Sequence, residues 1–536
     1  MSDKIFDADV IVVGSGAVGS LAAQKIAKAG KAVIILEAGP RVPRWKIVEA
    51  FRNSGNTYAG GGNRNAPYPN VPWAPTSFTP NYVENTGPIQ YNPYTLRLVG
   101  GTTWHWGGAC WRNLPNDFKL KSVYGVGRDF PITYDDLEPF YYEAEVEMGI
   151  SGDDNADYSG HGGAPFPPRQ HPYPVRPQAT TYFAKRFAER LGAGGYHYTY
   201  QPNGRATDPY GERPACVGNN NCSPICPIGS QYSGDRDTTK AEKHGAKVIS
   251  DAPVYKLEKS ADGKSIVAVH YHDKEGNTHR LTARYFIVAS NAIETPRLLL
   301  LSDVANSSDM VGRNLMDHHA FSMNLIADEP MWSGRGPIQQ GDILNRRDGP
   351  WRSEYSSIRY EIGNGVGNVD ITRALLAKGV VGPELDKQIR HMSARWTPIS
   401  AQLEHLPLPE NRITLSSKNK DMFGLPLLKI HFDVTDYERR GYDVVMQDYL
   451  EFQKLLGAEV FSKNTTVWEN RAHPMGTVIM GEDPKDSVVN HECRTFDHHN
   501  LFLATTGVMP AAASNNPTVT GCALSLKAAS HILAEI

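Results

Sequence analysis

The segment from Asp9 to Glu37 restricts the fold of this chain more than any other. Asp9-Val10-Ile11-Val12-Val13 is a short apolar, β-branched run of the kind buried on both faces of a sheet. It leads straight into Gly14-Ser15-Gly16-Ala17-Val18-Gly19 and an Ala-rich, helix-favouring segment from Ser20 to Gly30. A second apolar run, Ala32 to Leu36, ends on Glu37. Each glycine has a mechanical reason: Gly14 permits the tight turn, Gly16 lets backbone approach a pyrophosphate, and Gly19 lets helix and strand pack closely. The helix N-terminus then offers unpaired N–H groups and a partial positive charge to phosphate. Glu37 arrives about 20 residues on, where an acid accepts hydrogen bonds from a ribose diol and disfavours a 2′-phosphate. A lone GxGxxG is weak, but strand, helix, second strand and acid in register predict a dinucleotide site. Between FAD and NAD this pattern is silent.

At 536 residues the chain is long enough for two or more domains, and a net charge of −3 offers no broad basic face for nucleic acid. No apolar run approaches the ~20 residues of a membrane-spanning helix. The first residues, Met1 to Asp9, carry neither an apolar signal core nor a twin arginine, so the polypeptide taken alone reads as cytoplasmic.

Of six cysteines, Cys110, Cys493 and Cys522 are isolated and read as small buried hydrophobes. Cys216, Cys222 and Cys226 fall within eleven residues, spaced by Gly and Asn and closed by Cys226-Pro227. That pattern suits a loop around one soft metal centre, and a Cys-Pro end occurs in iron–sulfur ligand runs. Zinc would want a fourth ligand, and His197 and His244 lie outside the loop. Three ligands suit a three-iron cluster, or a four-iron cluster completed from elsewhere. Structural thiols remain the alternative.

Two stretches rich in Gly, Pro, Asn and Tyr, Arg52 to Tyr94 and Ser151 to Gln178, are too long for simple connectors and read as functional loops or lids. Between them Leu98 to Gly108 sets glycines around aromatics, allowing backbone to approach a flat ligand. Strands are expected at Lys247 to Ile249, Val254 to Leu257, Ile266 to His272 and Arg284 to Ala289, then a helix from Arg297 to Leu301. The region from about Phe321 to Ser462 mixes strands with a helical segment, Asp436 to Leu456, and reads as the substrate side. Near the C-terminus His473-Pro474-Met475-Gly476-Thr477 and Asn516-Pro517-Thr518-Val519-Thr520 pair a His that can take a proton from an alcohol with an Asn that can hold its oxygen.

The fingerprint with Leu36-Glu37-Ala38-Gly39-Pro40, the segment Gly312-Arg313-Asn314-Leu315-Met316-Asp317-His318, and the two C-terminal motifs resemble the glucose–methanol–choline flavoprotein oxidoreductases. The matches run in order along the whole chain. Ala66 to Pro75, Gly100 to Trp106, Asn116-Asp117-Phe118-Lys119, Tyr124 to Asp129 and the cysteine loop narrow the likeness to large flavin subunits of bacterial membrane-bound sugar and polyol dehydrogenases. Such subunits carry two adjacent cysteines where this chain has Cys216 and Val217. The segment Arg471 to Met475 is closer to the wider family, which leaves the substrate open.

The resemblance implies an α/β fold: a Rossmann-like FAD-binding domain from residues 1–115, 205–320 and 465–536, with an antiparallel-sheet substrate domain from 116–204 and 321–464. It implies FAD, and a three-iron cluster on Cys216, Cys222 and Cys226. It also implies a small chaperone-like subunit carrying the export signal, a membrane-anchored multihaem cytochrome c and a periplasmic site. Expected cofactor-binding residues are Gly14, Gly16, Gly19, Glu37, Gly101, Thr102, His105, Val254, Asn516 and Thr518. His473 is the expected base, with Asn516 orienting the same oxygen. His318, His319 and His405 compete for that role; His318 reads as a structural turn and His405 as a residue of the substrate pocket. His105, in Gly100-Gly101-Thr102-Thr103-Trp104-His105-Trp106, either holds the flavin covalently or sits beside a non-covalent one. The expected reaction is oxidation of a sugar, polyol or sugar-acid hydroxyl, with electrons leaving through the cluster. An oxygen-using oxidase and a non-catalytic electron-transfer subunit are the alternatives.

Overall fold

The computed structural model describes residues 6–53, 67–77, 79–160 and 165–536. Parts of the two long loops, Ala66 and the first five residues lie outside the described residues. One sheet is built mainly from parallel strands, ordered Lys247–Ile249, Val33–Leu36, Ala8–Val13 and Thr278–Val288, with Leu501–Leu503 also paired to the last. Ala8–Val13 is covered on both faces, as its continuous apolar character requires. Thr278–Val288 serves two pairings: residues 283–288 run parallel to Ala8–Val13, and residues 278–282 pair antiparallel with Ile266–His272, which pairs with Val254–Lys259.

The first helix spans Ala17–Lys28, starting inside the glycine motif rather than after it. Gly16 is its N-cap and no side chain caps that end, so the first-turn N–H groups are left for a ligand. The helix packs between Asp235–Lys243 and the C-terminal helix Thr518–Glu535. A second departure from expectation is the helix Asn291–Ser302, which runs through Pro296. Proline has no N–H for the carbonyl of Ala292 four residues earlier. Thr477 Oγ1 supplies that hydrogen bond instead, at 2.6 Å, tying the helix to the His473 segment.

A second sheet, antiparallel and six-stranded, follows the order Glu459–Asn470, His319–Ile326, Trp396–Leu403, Ile358–Gly363, Gln339–Ile343 and Tyr198–Tyr200. Helix Asp436–Leu455 lies against it, opening with a capping box between Thr435 and Glu438. The α/β fold class and the antiparallel sheet in the middle of the chain are as expected from the sequence. The described part of the stretch from Ser151 to Gln178 does not line the cavity that holds the glycine turn. It is pinned to helix Tyr134–Met148 by Arg169, which pairs with the buried Glu145.

Candidate active site

A cavity of about 370 Å³ runs from the glycine turn to the C-terminal His and Asn motifs. At its first end lie Gly14, Gly16 and Glu37, with Gly101, Thr102, His105, Val254 and Thr518 along its walls. The glycines meet different surroundings. Gly14 has φ +103°, and a Cβ there would stand 2.7 Å from the carbonyl oxygen of Ala289. A Cβ on Gly19 would stand 2.3 Å from the carbonyl oxygen of Gly14, so Gly19 supports the turn from behind and is not a cavity wall. A Cβ on Gly16 would meet no atom within 4 Å, because that backbone faces open cavity. This is a cradle that a pyrophosphate can approach and a side chain would fill. The Glu37 carboxylate accepts from Ser15 N at 3.0 Å, Ser15 Oγ at 2.7 Å and Gly39 N at 3.0 Å, and burial pushes its carboxyl up.

At the other end the wall is polar: Gln339, Glu361, Gln402, Arg471, His473 and Asn516. His473 and Asn516 are in contact, Asn516 Nδ2 donating to His473 Nε2 at 2.8 Å. Two non-glycine residues nearby are in the left-handed region: Ala472, directly before His473, at φ +60°, and Ala513, three residues before Asn516, at φ +56°. Such backbone costs of order 1–3 kcal/mol and persists only where the surroundings impose it. At Ala472 Asp317 imposes it, since its buried carboxylate accepts from the backbone N–H groups on either side, Arg471 (3.1 Å) and His473 (3.1 Å), as well as from His318 N (2.6 Å) and from Tyr91 Oη at 2.7 Å. Ser514 and Asn515 are held to the far sheet side through Ser357 and Arg347.

His318 belongs to this centre, correcting its reading as a mere structural turn. Its Nδ1 lies 2.8 Å from His473 Nδ1 and its Nε2 lies 2.9 Å from the carbonyl oxygen of Ala513. A carbonyl can only accept, so His318 Nε2 carries the hydrogen. Burial and the charge of Arg359 lower the His318 pKa to about 3, so its ring is neutral and Nδ1 is an acceptor. His473 therefore donates from Nδ1, and its Nε2, facing the cavity, is the basic nitrogen. His319 is buried beneath this layer and is not a wall of the cavity.

His405 is not a pocket residue. It stacks on Phe432 with ring centroids 5.1 Å apart, and its Nε2 lies 3.1 Å from the carbonyl of Asp433, inside a separate apolar cluster. Burial of that Glu404-His405 segment in the sheet end, where Glu404 pairs with Arg352, removes it from the cavity. The sequence reading also missed Arg359, Glu361, Gln402 and Gln339. Their strands could be expected from alternation, but not which face they turn to the cavity.

Cys216 is half-buried, and Cys222 and Cys226 are buried. Burial pushes the Cys216 thiol up, and Cys222 and Cys226 are close enough to add to that shift. Among the described residues, no three or more His, Cys, Asp or Glu side chains are grouped to hold a metal ion. The loop rests on the cavity wall: Ser223 Oγ donates to the His105 carbonyl at 3.4 Å, and Tyr68 Oη donates to the Pro224 carbonyl at 2.5 Å. Among the described residues no helix is long and apolar enough to cross a membrane.

Comparison with known proteins identifies the family. Family models described as GMC oxidoreductase match residues 8–320 and 407–525. The chain is 43% identical to the fructose dehydrogenase large subunit of Gluconobacter japonicus, over 100% of this chain and 99% of that one. It is 24% identical to the gluconate 2-dehydrogenase flavoprotein of Pantoea cypripedii, over 99% and 94%. Among solved structures, formate oxidase superposes with a TM-score of 0.63 at 15% identity over 98% of both chains. Pyridoxine 4-oxidase from Mesorbium loti gives 0.61 at 15% identity over 98% and 99%. These two show the fold alone. The protein is an FAD-dependent enzyme acting on CH–OH donors, and the chain belongs to the GMC oxidoreductase family.

Proposed function

We propose that the protein is a dehydrogenase that oxidises one hydroxyl-bearing carbon of a sugar, polyol or sugar acid and delivers the electrons to an acceptor other than oxygen. The observation that carries this reading is the basic Nε2 of His473, facing a cavity whose far end is a glycine turn and whose near end is lined by hydrogen-bonding side chains. The 43% identity to a fructose dehydrogenase large subunit makes fructose the first substrate to try.

The substrate hydroxyl takes the place of the Asn516–His473 contact. Its O–H donates to His473 Nε2 while its oxygen accepts from Asn516 Nδ2, so one side chain removes the proton and the other holds the oxygen. Glu361, Gln339, Gln402 and Arg471 are placed to pair with further hydroxyls, a wall suited to a polyhydroxylated molecule rather than a simple alcohol. FAD, when bound, supplies the isoalloxazine that accepts the hydride. Gly14, Gly16 and Glu37 would hold its adenosine and pyrophosphate part, with Gly101, Thr102, His105, Val254 and Thr518 along the remainder.

Cys216, Cys222 and Cys226 would hold an iron–sulfur cluster of the three-iron type, which supplies one-electron transfer when bound. Three thiols on one loop that touches the cavity wall support this, though they do not form a closed ligand group in the structure. That a relative is a large subunit supports a complex with partner subunits; by the family resemblance these would be a small chaperone-like subunit and a membrane-anchored multihaem cytochrome c, at a periplasmic site.

The test is anaerobic titration of the flavin absorbance with fructose, other sugars, polyols and sugar acids. Bleaching by a sugar or polyol followed by cytochrome or dye reduction without peroxide is the expected result. Stoichiometric peroxide release in air would make the protein an oxidase, and no bleaching by any of them would remove the catalytic reading. Retention of flavin by denatured protein distinguishes the two readings of His105.

A further inference from the structure

We infer that Arg359 is a positioning residue: it fixes the amide of Asn516 and, through it, keeps Nε2 of His473 free of a proton in the resting enzyme. This rests on His473 being the base. Arg359 lies on strand Ile358–Gly363 and is fully buried. A guanidinium has five N–H donors and no acceptor. Nη2 donates to Asn516 Oδ1 at 2.9 Å and to Gln402 Oε1 at 2.6 Å, Nη1 to Asp342 Oδ2 at 3.0 Å and Nε to the Ser514 carbonyl at 3.2 Å. Only the oxygen end of an amide can face such a group, so Asn516 must turn its NH2 toward His473 Nε2, 2.8 Å away. Two N–H groups cannot point at one another, so Nε2 presents its lone pair.

The other ring nitrogen imposes the same state, through His318 and the Ala513 carbonyl. The tautomer of His473 is thus held from both ends. Arg359 also turns a second amide: with its oxygen on Nη2, Gln402 donates from Nε2 to Glu361 Oε2 at 2.6 Å. One buried side chain therefore sets the polarity of two amides at the reactive end of the cavity, those of Asn516 and Gln402.

Without this fork the Asn516 amide is free to turn. Its oxygen then faces Nε2 and holds a proton there, so the unprotonated base forms only at higher pH. Among the described residues, the charged or titratable groups around His473 include Asp317 and His318 from the segment before His319–Ile326, Arg359 and Glu361 from Ile358–Gly363, Arg471 from its own segment, and His105 across the cavity. A substitution that keeps the charge of Arg359 leaves this set intact.

Arg359→Lys in the FAD-loaded enzyme does that. It keeps a cation for Asp342 but loses the planar fork. The expected result is normal flavin content, kcat/KM down about tenfold or more, and the acidic limb of its pH profile moved to higher pH. In an Asn516→Ala background the same substitution should move the limb no further, and Gln402→Ala alone should leave it in place. A limb that stays put in Arg359→Lys, or moves equally in the Asn516→Ala background, overturns the proposal. Asn516→Asp, which keeps Arg359 and places an acceptor against Nε2, should move the limb the same way even if Arg359→Lys does not fold; an unmoved limb overturns the proposal too. His473→Ala tests the underlying reading separately: an acidic limb persisting there means that His473 is not the base.

Discussion

Alanine at each of the three glycines of the turn should give three different phenotypes, because the atoms around each differ. At Gly16 the backbone is extended, with φ −63° and ψ 176°, and a Cβ meets nothing within 4 Å. Alanine adopts that conformation without strain, and Gly→Ala at a compatible position stabilises by about 0.4–1 kcal/mol through the unfolded chain. The apo-protein of Gly16→Ala should therefore melt at or slightly above the wild-type temperature. Its new methyl group nevertheless stands where a pyrophosphate would lie against the backbone, so FAD content should collapse. Gly19→Ala is the reverse case. Its methyl would stand 2.3 Å from a backbone oxygen and 2.9 Å from Ala289 Cβ, so helix Ala17–Lys28 must move off its strand. Overpacking of that kind costs about 1–3 kcal/mol or more, and the apo-protein itself should unfold several degrees early. Gly14→Ala adds a positive φ of +103° to a 2.7 Å contact and should be at least as damaging. Apo melting temperature and flavin-to-protein stoichiometry, measured on all three, separate the effects. Full FAD occupancy in Gly16→Ala, or an unperturbed apo-protein in Gly19→Ala, would refute the reasoning.

His473→Ala should lower turnover by about a hundred- to ten-thousand-fold with flavin content unchanged, and Asn516→Ala by a smaller factor worth ~2–3 kcal/mol; steady-state kinetics on FAD-loaded protein check both. His318 is held neutral, its pKa lowered from 6.5 to about 3, so the unfolded chain takes up its proton first and stability drains as pH falls between those values. His318→Gln should make the melting temperature less sensitive to pH in that window, and an unchanged slope would show that the ring is protonated in the fold. Cys222→Ser should reduce the iron content of anaerobically prepared protein and abolish reduction of a cytochrome acceptor, while dye-linked turnover persists in part; iron-free wild-type protein would remove the cluster.

The glycine turn, the acid after the second strand, and the His473 and Asn516 motifs could all be read from the chain. Each works through backbone geometry or a side-chain chemistry already complete within a few neighbouring residues. The glycine spacing, with strand, helix, second strand and acid in register, is why the sequence predicted a nucleotide site, while the α/β fold class followed from the family resemblance. The state of the proton on His473 could not be read this way. It depends on His318, 155 residues earlier, and on Arg359, which reaches Asn516 across 157 residues of sequence. Hydrogen-bond polarity travels through space from the Ala513 carbonyl to one ring nitrogen and from a guanidinium to the other. His318 and His405 look alike in the sequence, two histidines in short polar segments, and only packing separates them. One ring is turned onto His473 and the other is stacked on Phe432 away from the cavity. The sequence by itself determined the nucleotide-binding frame and the candidate reactive side chains. Tertiary structure decided which nitrogen is bare and which amide end faces it, because a proton's position is set by the partners across the fold and not by neighbours along the chain.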